Sequence, residues 1–334
     1  MKTLLCFIAV LSITGTQGQD DNPTSALNGF LVNDERCGTQ PAIQPDPTYT
    51  PYPDKLQLVE KGEFPWLVWV SIQDPEPKTF DPLNGEDFTR CMGSIIAKRY
   101  VLTASSCLAN YAALGKNPEE LSGAVVGAGF LDPTAPWSCK NGECPENIYL
   151  ARSALTMDDF GAADKANNIA LIVTAKDIVF NDYVLPICML HDELLYSQKF
   201  WGERGVRVTG WGHKNEESRR HNRLIQAPAE IFTEEENKIF HRNHLPDSMR
   251  SKEVYYSFFG VGGEEDEVYT DEDIGGPFMI KKLIEYSDSP RYYLLGIRSF
   301  KAEESLPPHH STFVYTRVGY HQKWILDHLS PVHQ

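Results

Sequence analysis

Whatever chemistry this chain performs must rest on few groups. Its first histidine is His191, so an imidazole acting as a base can come only from the later part of the sequence, with His213 and His321 as candidates. A hydroxyl works as a nucleophile only beside such a base. The adjacent pair His309-His310 could ligate a metal, but neighbouring side chains on an extended backbone lack chelating geometry. They read instead as exposed loop residues after Pro307-Pro308. Glu264-Glu265-Asp266-Glu267 with Asp271-Glu272-Asp273 offers the several oxygens that calcium prefers, but the default reading is a solvated acidic loop. No Cys-x-x-Cys or His-x-x-x-His occurs. Zinc is therefore not expected, and no cofactor is implied.

The cysteines point to a compartment. Of seven, Cys6 falls in an N-terminal stretch with signal-peptide character: Met1-Lys2-Thr3, an apolar run from Leu4 to Ile13, then small residues up to Gly18. Residues 1–18 are expected to be a signal peptide, since the apolar run falls short of the about 20 residues a membrane span needs. Cys37, Cys91, Cys107, Cys139, Cys144 and Cys188 then form an even set, as in disulfide-bonded secreted proteins. Only Cys139–Cys144 is suggested locally, because Asn141-Gly142 between them favours a tight reversal. The formal net charge of −15 repels nucleic acid and anionic membrane and fits a soluble extracellular protein. No Asn-x-Ser/Thr sequon is present apart from Asn22, which Pro23 disqualifies.

Positioning any of these groups requires a scaffold. A chain of 334 residues that is 41% hydrophobic can bury one large core. Residues 19–52 are polar and proline-rich, which reads as a tethered extension. From Phe64 onward, short aromatic and β-branched runs alternate with turn residues: Trp66–Ile72, Gly93–Thr103, Ala124–Val126, Asn168–Val173, Val206–Trp211, Tyr292–Ile297 and Phe313–Val318. Such spacing predicts an all-β sandwich or barrel. Thr233-Glu234-Glu235-Glu236 is a capping box opening a helix to about His241, and Tyr320, Trp324 and Ile325 define one face of a final helix. His213–Asn222 and Gly260–Asp273 read as loops.

Several motifs sit in a telling order. They are Phe64-Pro65-Trp66; Cys91-Met92-Gly93-Ser94-Ile95-Ile96 with Val101-Leu102-Thr103-Ala104-Ser105-Ser106-Cys107; Asn167-Asn168-Ile169-Ala170-Leu171; Leu185-Pro186-Ile187-Cys188; Gly210-Trp211-Gly212; Asp273-Ile274-Gly275-Gly276-Pro277; and Val314-Tyr315-Thr316-Arg317-Val318 with Trp324-Ile325. Over about Lys55–Leu329 they resemble the trypsin/chymotrypsin family of serine proteases. The resemblance implies an all-β fold of two six-stranded antiparallel β-barrels with a C-terminal helix, spanning residues 53–330. It also implies the disulfides Cys91–Cys107 and Cys37–Cys188, the latter tying the extension to the domain.

The same resemblance places Ser106 at the family's histidine, Asn168 at its aspartate and Ile274 at its nucleophilic serine. Serine has no useful basicity near neutral pH, asparagine cannot stabilise an imidazolium by charge, and a branched hydrocarbon has no lone pair to attack with. Glu272 stands where a glycine N–H would face the oxyanion, Val268 at the pocket floor, and Phe313 where a glycine would open the specificity pocket, which it is expected to fill. Ser299-Phe300-Lys301 replaces the strand that pairs with substrate. Pro53-Asp54-Lys55-Leu56 lacks the Arg-Ile or Lys-Ile bond of an activation site, which leaves Asp273 to pair with a side chain or face solvent. Two family disulfides are missing, with Asn237 and Phe259 near one pair of positions.

These readings imply a secreted, catalytically inactive homologue that binds extracellular proteins, such as active proteases or their substrates, and neither nucleic acid nor membrane. Two alternatives are an enzyme with relocated catalytic groups and a structural or storage component of a secretion.

Overall fold

The computed structural model describes residues 36–43, 57–73, 88–109, 121, 124–129, 146–157, 167–189, 200–209, 224–245, 247–263, 273–283, 289–303, 305–309 and 311–329. Thirteen strands occur among them: β1 (Gln57–Leu58), β2 (Leu67–Gln73), β3 (Phe88–Ala97), β4 (Tyr100–Thr103), β5 (Ala124–Ala128), β6 (Ile148–Thr156), β7 (Ala170–Thr174), β8 (Arg204–Thr209), β9 (Ile225–Glu230), β10 (Phe258–Gly263), β11 (Pro277–Lys282), β12 (Arg291–Lys301) and β13 (Ser311–Arg317). Three α-helices join them: α1 (Glu234–Asn243), α2 (Lys252–Ser257) and α3 (Gln322–His328).

The first six-stranded sheet closes on itself in the order β2-β3-β4-β7-β6-β5. Strands such as β2 and β7 are rich in Val, Ile and Leu because both of their faces are covered, every residue from Leu67 to Ile72 being buried, whereas β6 leaves Arg152 exposed. The second sheet runs β1-β9-β8-β11-β12-β13-β10. An antiparallel bridge between Ile231 and Val261, with Phe232 N donating to Gly260 O at 2.9 Å, brings its two long edges together into the second barrel. The two expected six-stranded barrels and the terminal helix are present, with short β1 as an added edge.

Local details differ from the sequence reading for identifiable reasons. The run Gly93–Thr103 is two strands, β3 and β4, because the chain reverses at Lys98-Arg99. Gly260–Gly263, expected in a loop, lies in β10. Glycine serves there because aromatic rings lie flat on the strand: a Cβ on Gly260 would come 2.3 Å from the Phe232 ring, and one on Gly262 would come 2.1 Å from His309. His309 is accordingly no exposed loop residue. Its half-buried ring stacks on Phe232 at 5.1 Å. His310 lies outside the described residues.

The capping box at α1 forms as read: Thr233 Oγ1 accepts from Glu236 N at 3.3 Å, and Glu236 Oε2 accepts from Thr233 N at 2.8 Å. Asn237, on the buried face of this helix, accepts from Gly260 N at 3.0 Å, so a hydrogen bond joins α1 to β10 near the missing disulfide. The terminal helix departs from its expected face. Tyr320 belongs to a preceding 3-10 turn and is 45% exposed, whereas Ile325 is fully buried.

The expected tie between the extension and the domain is present. Residues 36–43 do not hang free: Cys37 is buried and bonded to Cys188, and Gly38 N donates to Pro186 O at 2.9 Å. A second disulfide joins Cys91 to Cys107. Cys139 and Cys144 lie outside the described residues, as do the expected signal peptide and most of the extension. Among the described residues no helix is long and apolar enough to cross a membrane.

Candidate functional site

The site is assembled from four short segments where the barrels meet. From the first barrel, β4 runs into a 3-10 turn, Ser105–Leu108, which presents Ser106 and is pinned by Cys107 to β3. Asn167 takes a left-handed φ of 54°, a conformation that asparagine tolerates better than most residues. It turns the chain so that Asn168 faces the second barrel. Ser105 Oγ donates to Ile169 O at 2.5 Å and holds the two segments together.

From the second barrel, β12 carries a register shift between Arg298 and Phe300 against β13. Ser299 falls in that irregularity, which leaves its hydroxyl for Asn168. The fourth segment, Asp273–Gly276, is a tight turn in which Gly275 has φ +86°. Glycine is required there, since a Cβ would lie 2.2 Å from Met92 O and 2.4 Å from Thr103 Oγ1. Gly275 N donates to Arg298 O at 2.9 Å, Arg298 N to Gly276 O at 2.8 Å, and Met92 N to Ile274 O at 2.8 Å. Ile274 is thereby fixed between the barrels, half-buried against the first barrel's core.

Asn168 is the hub. Its fully buried side chain donates from Nδ2 to Ser106 Oγ at 3.1 Å and to Ser299 Oγ at 2.7 Å, and accepts from Ser106 N at 2.8 Å. Its carbonyl accepts from Thr316 Oγ1 at 3.0 Å. Both amide protons are used, and neither the amide nor the two hydroxyls ionises near neutral pH. The cluster can order a backbone and present a hydroxyl. None of its members is able to take a proton from that hydroxyl.

Beside this cluster, Phe313 is fully buried with the guanidinium carbon of Arg298 4.2 Å above its ring, and Lys301 Nζ at 5.9 Å. Arg298 is itself fully buried. The sequence reading missed it. The available signal was a cation continuing the apolar run Tyr292–Ile297 with no turn residue between. Asp273 is also fully buried, so it does not face solvent. Of the other expected positions, Glu272, Val268, His213 and the acidic run 264–267 lie outside the described residues.

Comparison with known proteins fits this geometry. The family model described as Trypsin matches residues 56–325, which covers both barrels and most of α3. The chain belongs to the trypsin family. It is 26% identical over 270 residues to the proclotting enzyme of Tachypleus tridentatus, covering 80% of this chain and 64% of that protein. It is 26% identical to the CLIP domain-containing serine protease HP8 of Bombyx mori, covering 97% of this chain and 78% of that protein. To melanization protease 1 of Drosophila melanogaster it is 28% identical, covering 79% of this chain and 62% of that protein. This trypsin-family chain therefore spans under two thirds of the first and third of these relatives.

Proposed function

We propose that this trypsin-family chain is a catalytically inactive member that works by binding other proteins. The observation that carries the reading is the Asn168 hub, where a neutral amide, two serine hydroxyls and the hydrocarbon of Ile274 occupy the inter-barrel site. Acyl transfer needs a nucleophile beside a base, and here Ser106 Oγ is met by an amide N–H, which is no base. Fully buried Phe313 supports the same reading, since a ring at the position that the resemblance assigns to the specificity pocket would leave no room there for a substrate side chain. Glu272 at the oxyanion position and the absent activation bond before Leu56 add sequence support.

The histidines among the described residues are engaged in packing. His241 lies edge-on to Tyr255, His309 stacks on Phe232, buried His321 lies edge-on to Tyr320, and His328 meets Trp324 O at 2.7 Å. Burial lowers the His241 pKa, with backbone hydrogen bonds at Met249 and Ser251 opposing the shift.

We place the chain outside the cell, on the signal-like N-terminus, the even cysteine set and the acidic charge. Its relatives include a proclotting enzyme and a melanization protease. By analogy with those names, the proposed role is that of cofactor, regulator or decoy in an extracellular proteolytic cascade, with active proteases or their substrates as partners.

The test is incubation of the purified mature chain with a fluorophosphonate probe and a broad peptide-substrate library. Neither labelling nor turnover is expected; serine-specific labelling accompanied by turnover overturns the inactive reading. Affinity capture from the native extracellular fluid tests the partner. A stoichiometric protease or protease substrate is expected, and high abundance with no partner would instead favour storage.

A further inference from the structure

Arg317 ends β13 on the same face as Phe313 and Tyr315, since side chains two residues apart share one side of a strand. Those two rings are buried in the second barrel's core. Arg317 carries a guanidinium to the rim of that core, where its central carbon lies 4.1 Å over the ring of buried Phe200. Thr316 points the opposite way, its Oγ1 donating to Asn168 O at 3.0 Å. Half-buried Trp201 stacks on Phe200 at 4.3 Å, and Tyr255 of α2 lies 6.3 Å from Trp201. α2 in turn rests against the turn Val318–His321, which bears exposed Tyr320. Among the described residues the Arg317 guanidinium meets the Phe200 ring and no carboxylate. Glu203, the acid nearest in sequence to Trp201, is engaged with Lys282 Nζ at 2.7 Å. Burial lowers the Arg317 pKa to about 10 with no charged group contributing, so the cation persists at neutral pH, partly desolvated.

We infer that Arg317, at an aromatic rim that includes Trp201, is a docking site for a carboxylate of a protein partner, an aspartate or glutamate side chain. A cation over a ring satisfies the charge and not the donors. The planar fork of N–H groups at the guanidinium edge stays available, and it matches the two oxygens of a carboxylate. Burial has already stripped part of the guanidinium's water, so an arriving carboxylate has less of it to displace. Arginine, tryptophan and tyrosine are also the residues that dominate measured interface energies. A sulfated polysaccharide fits less well, because a polyanion needs a row of cations, and no second charge bears on Arg317. The net charge of −15 repels acids at long range, so the site selects at contact and not by steering. In the free chain a desolvated cation without a counter-charge costs stability. The inference rests on the protein-binding reading and not on the inactive one.

The probe is a panel of short immobilised peptides, each with a single glutamate or aspartate beside an aromatic residue, and each paired with a twin in which that acid is glutamine or asparagine. The full mature chain, disulfides intact, is expected to bind the best acid peptides at least about tenfold more tightly than their twins, and Arg317→Met to bring the two within about twofold. Absence of the preference in the unaltered chain, or its survival in Arg317→Met, overturns the inference. Arg317→Lys keeps the charge without the planar fork and should lose most of the preference too. Stability gives an independent readout. Methionine keeps an apolar stem on Phe200, so the urea midpoint of Arg317→Met should equal or exceed that of the unaltered chain. A lower midpoint would mean that the guanidinium serves the fold, and would also overturn the site. Retention on heparin at physiological salt that disappears in Arg317→Met would assign the site to a polyanion instead of a protein. Capture from the native extracellular fluid with both forms separates this inference from the reading it rests on. A stoichiometric partner held equally by both leaves protein binding standing and removes the Arg317 site, whereas peptide discrimination with no partner captured by either form leaves the carboxylate site and removes the broader reading.

Discussion

Two polar clusters lie near opposite ends of β12, and they differ in kind. At Ser299 the partners are Asn168 and Ser106, all neutral and all hydrogen-bonded to one another. Near Tyr292 the partners are Glu63, Lys281, Gln40 and Gln226, with two ionisable groups in partly buried surroundings. The end at which the family resemblance locates chemistry is the end whose hydrogen-bonded cluster lacks a titrating group. The titrating groups sit in the seat of the N-terminal segment, where they serve attachment. Within this scaffold, then, ionisable side chains help to hold the N-terminal segment, while the Asn168 hub is a neutral fastening between the barrels, with the buried charged residues Asp273 and Arg298 in the same region.

The largest effect should come from the hub. Asn168→Ala removes the side-chain hydrogen bonds to Ser106 Oγ, Ser106 N and Ser299 Oγ and strands buried polar groups on both barrels, so a loss of about 2–3 kcal/mol is expected in urea denaturation. A loss under about 0.5 kcal/mol would mean that the hydroxyls of Ser106 and Ser299 find other partners, and the fastening interpretation would fall. A smaller effect is expected of Ile274→Ser, which restores a hydroxyl to the position the motif assigns to the nucleophile. Ile274 is half-buried, so the cost is about 1 kcal/mol. Fluorophosphonate labelling should stay at background, because the neighbouring hub offers an amide and hydroxyls, not an imidazole. Labelling of the Ile274→Ser variant above background, at the substituted position, would break the contrast between the clusters by revealing a base in the site.

The fold was legible wherever both faces of a strand are buried, as in Leu67–Ile72 or Ala170–Thr174, because there the sequence is a plain apolar run. It was hidden where a strand's partner is a ring. Gly260 and Gly262 look like loop glycines until Phe232 and His309 are seen lying on them. β9 was obscured by Pro228, which cannot donate to a ladder. In the site, Ser106, Asn168 and Ile274 could be placed from motif order alone, and Phe313 from its position in the last strand. Arg298 could not, because a cation after Ile297 becomes inward-facing through packing on Phe313, beside the irregularity of β12, and sequence period does not encode that. The tether through Cys37 was legible, but the close seating of residues 36–43 was not: their composition is that of a linker, and what seats them is a positive φ at Gly38 and a partner about 250 residues away in the chain, Tyr292.

The smallest expected effect sharpens the comparison most directly, since it asks which cluster senses pH. Burial raises the Glu63 pKa from its ordinary 4.5, with the Glu60 N–H and Gln226 pulling it back, and burial lowers that of Lys281 from 10.5, with Glu63 opposing. A carboxyl whose folded pKa lies above its unfolded one binds more protons in the native state between the two values, so stability falls as pH rises through that window and is flat above it. The lysine acts in the opposite sense in the alkaline range: stability rises as pH climbs from its lowered folded value towards 10.5. Glu63→Gln removes the acid limb, so the stability of the variant relative to the unaltered chain should increase from below pH 4.5 to neutrality, as read from denaturation midpoints at each pH. Asn168→Ala, which touches no titrating group, should shift those midpoints by a constant amount across the same range. If the Asn168 variant shows the pH-dependent difference and the Glu63 variant does not, the assignment of the two clusters is reversed, and buried Asp273 becomes the group to test in the inter-barrel site.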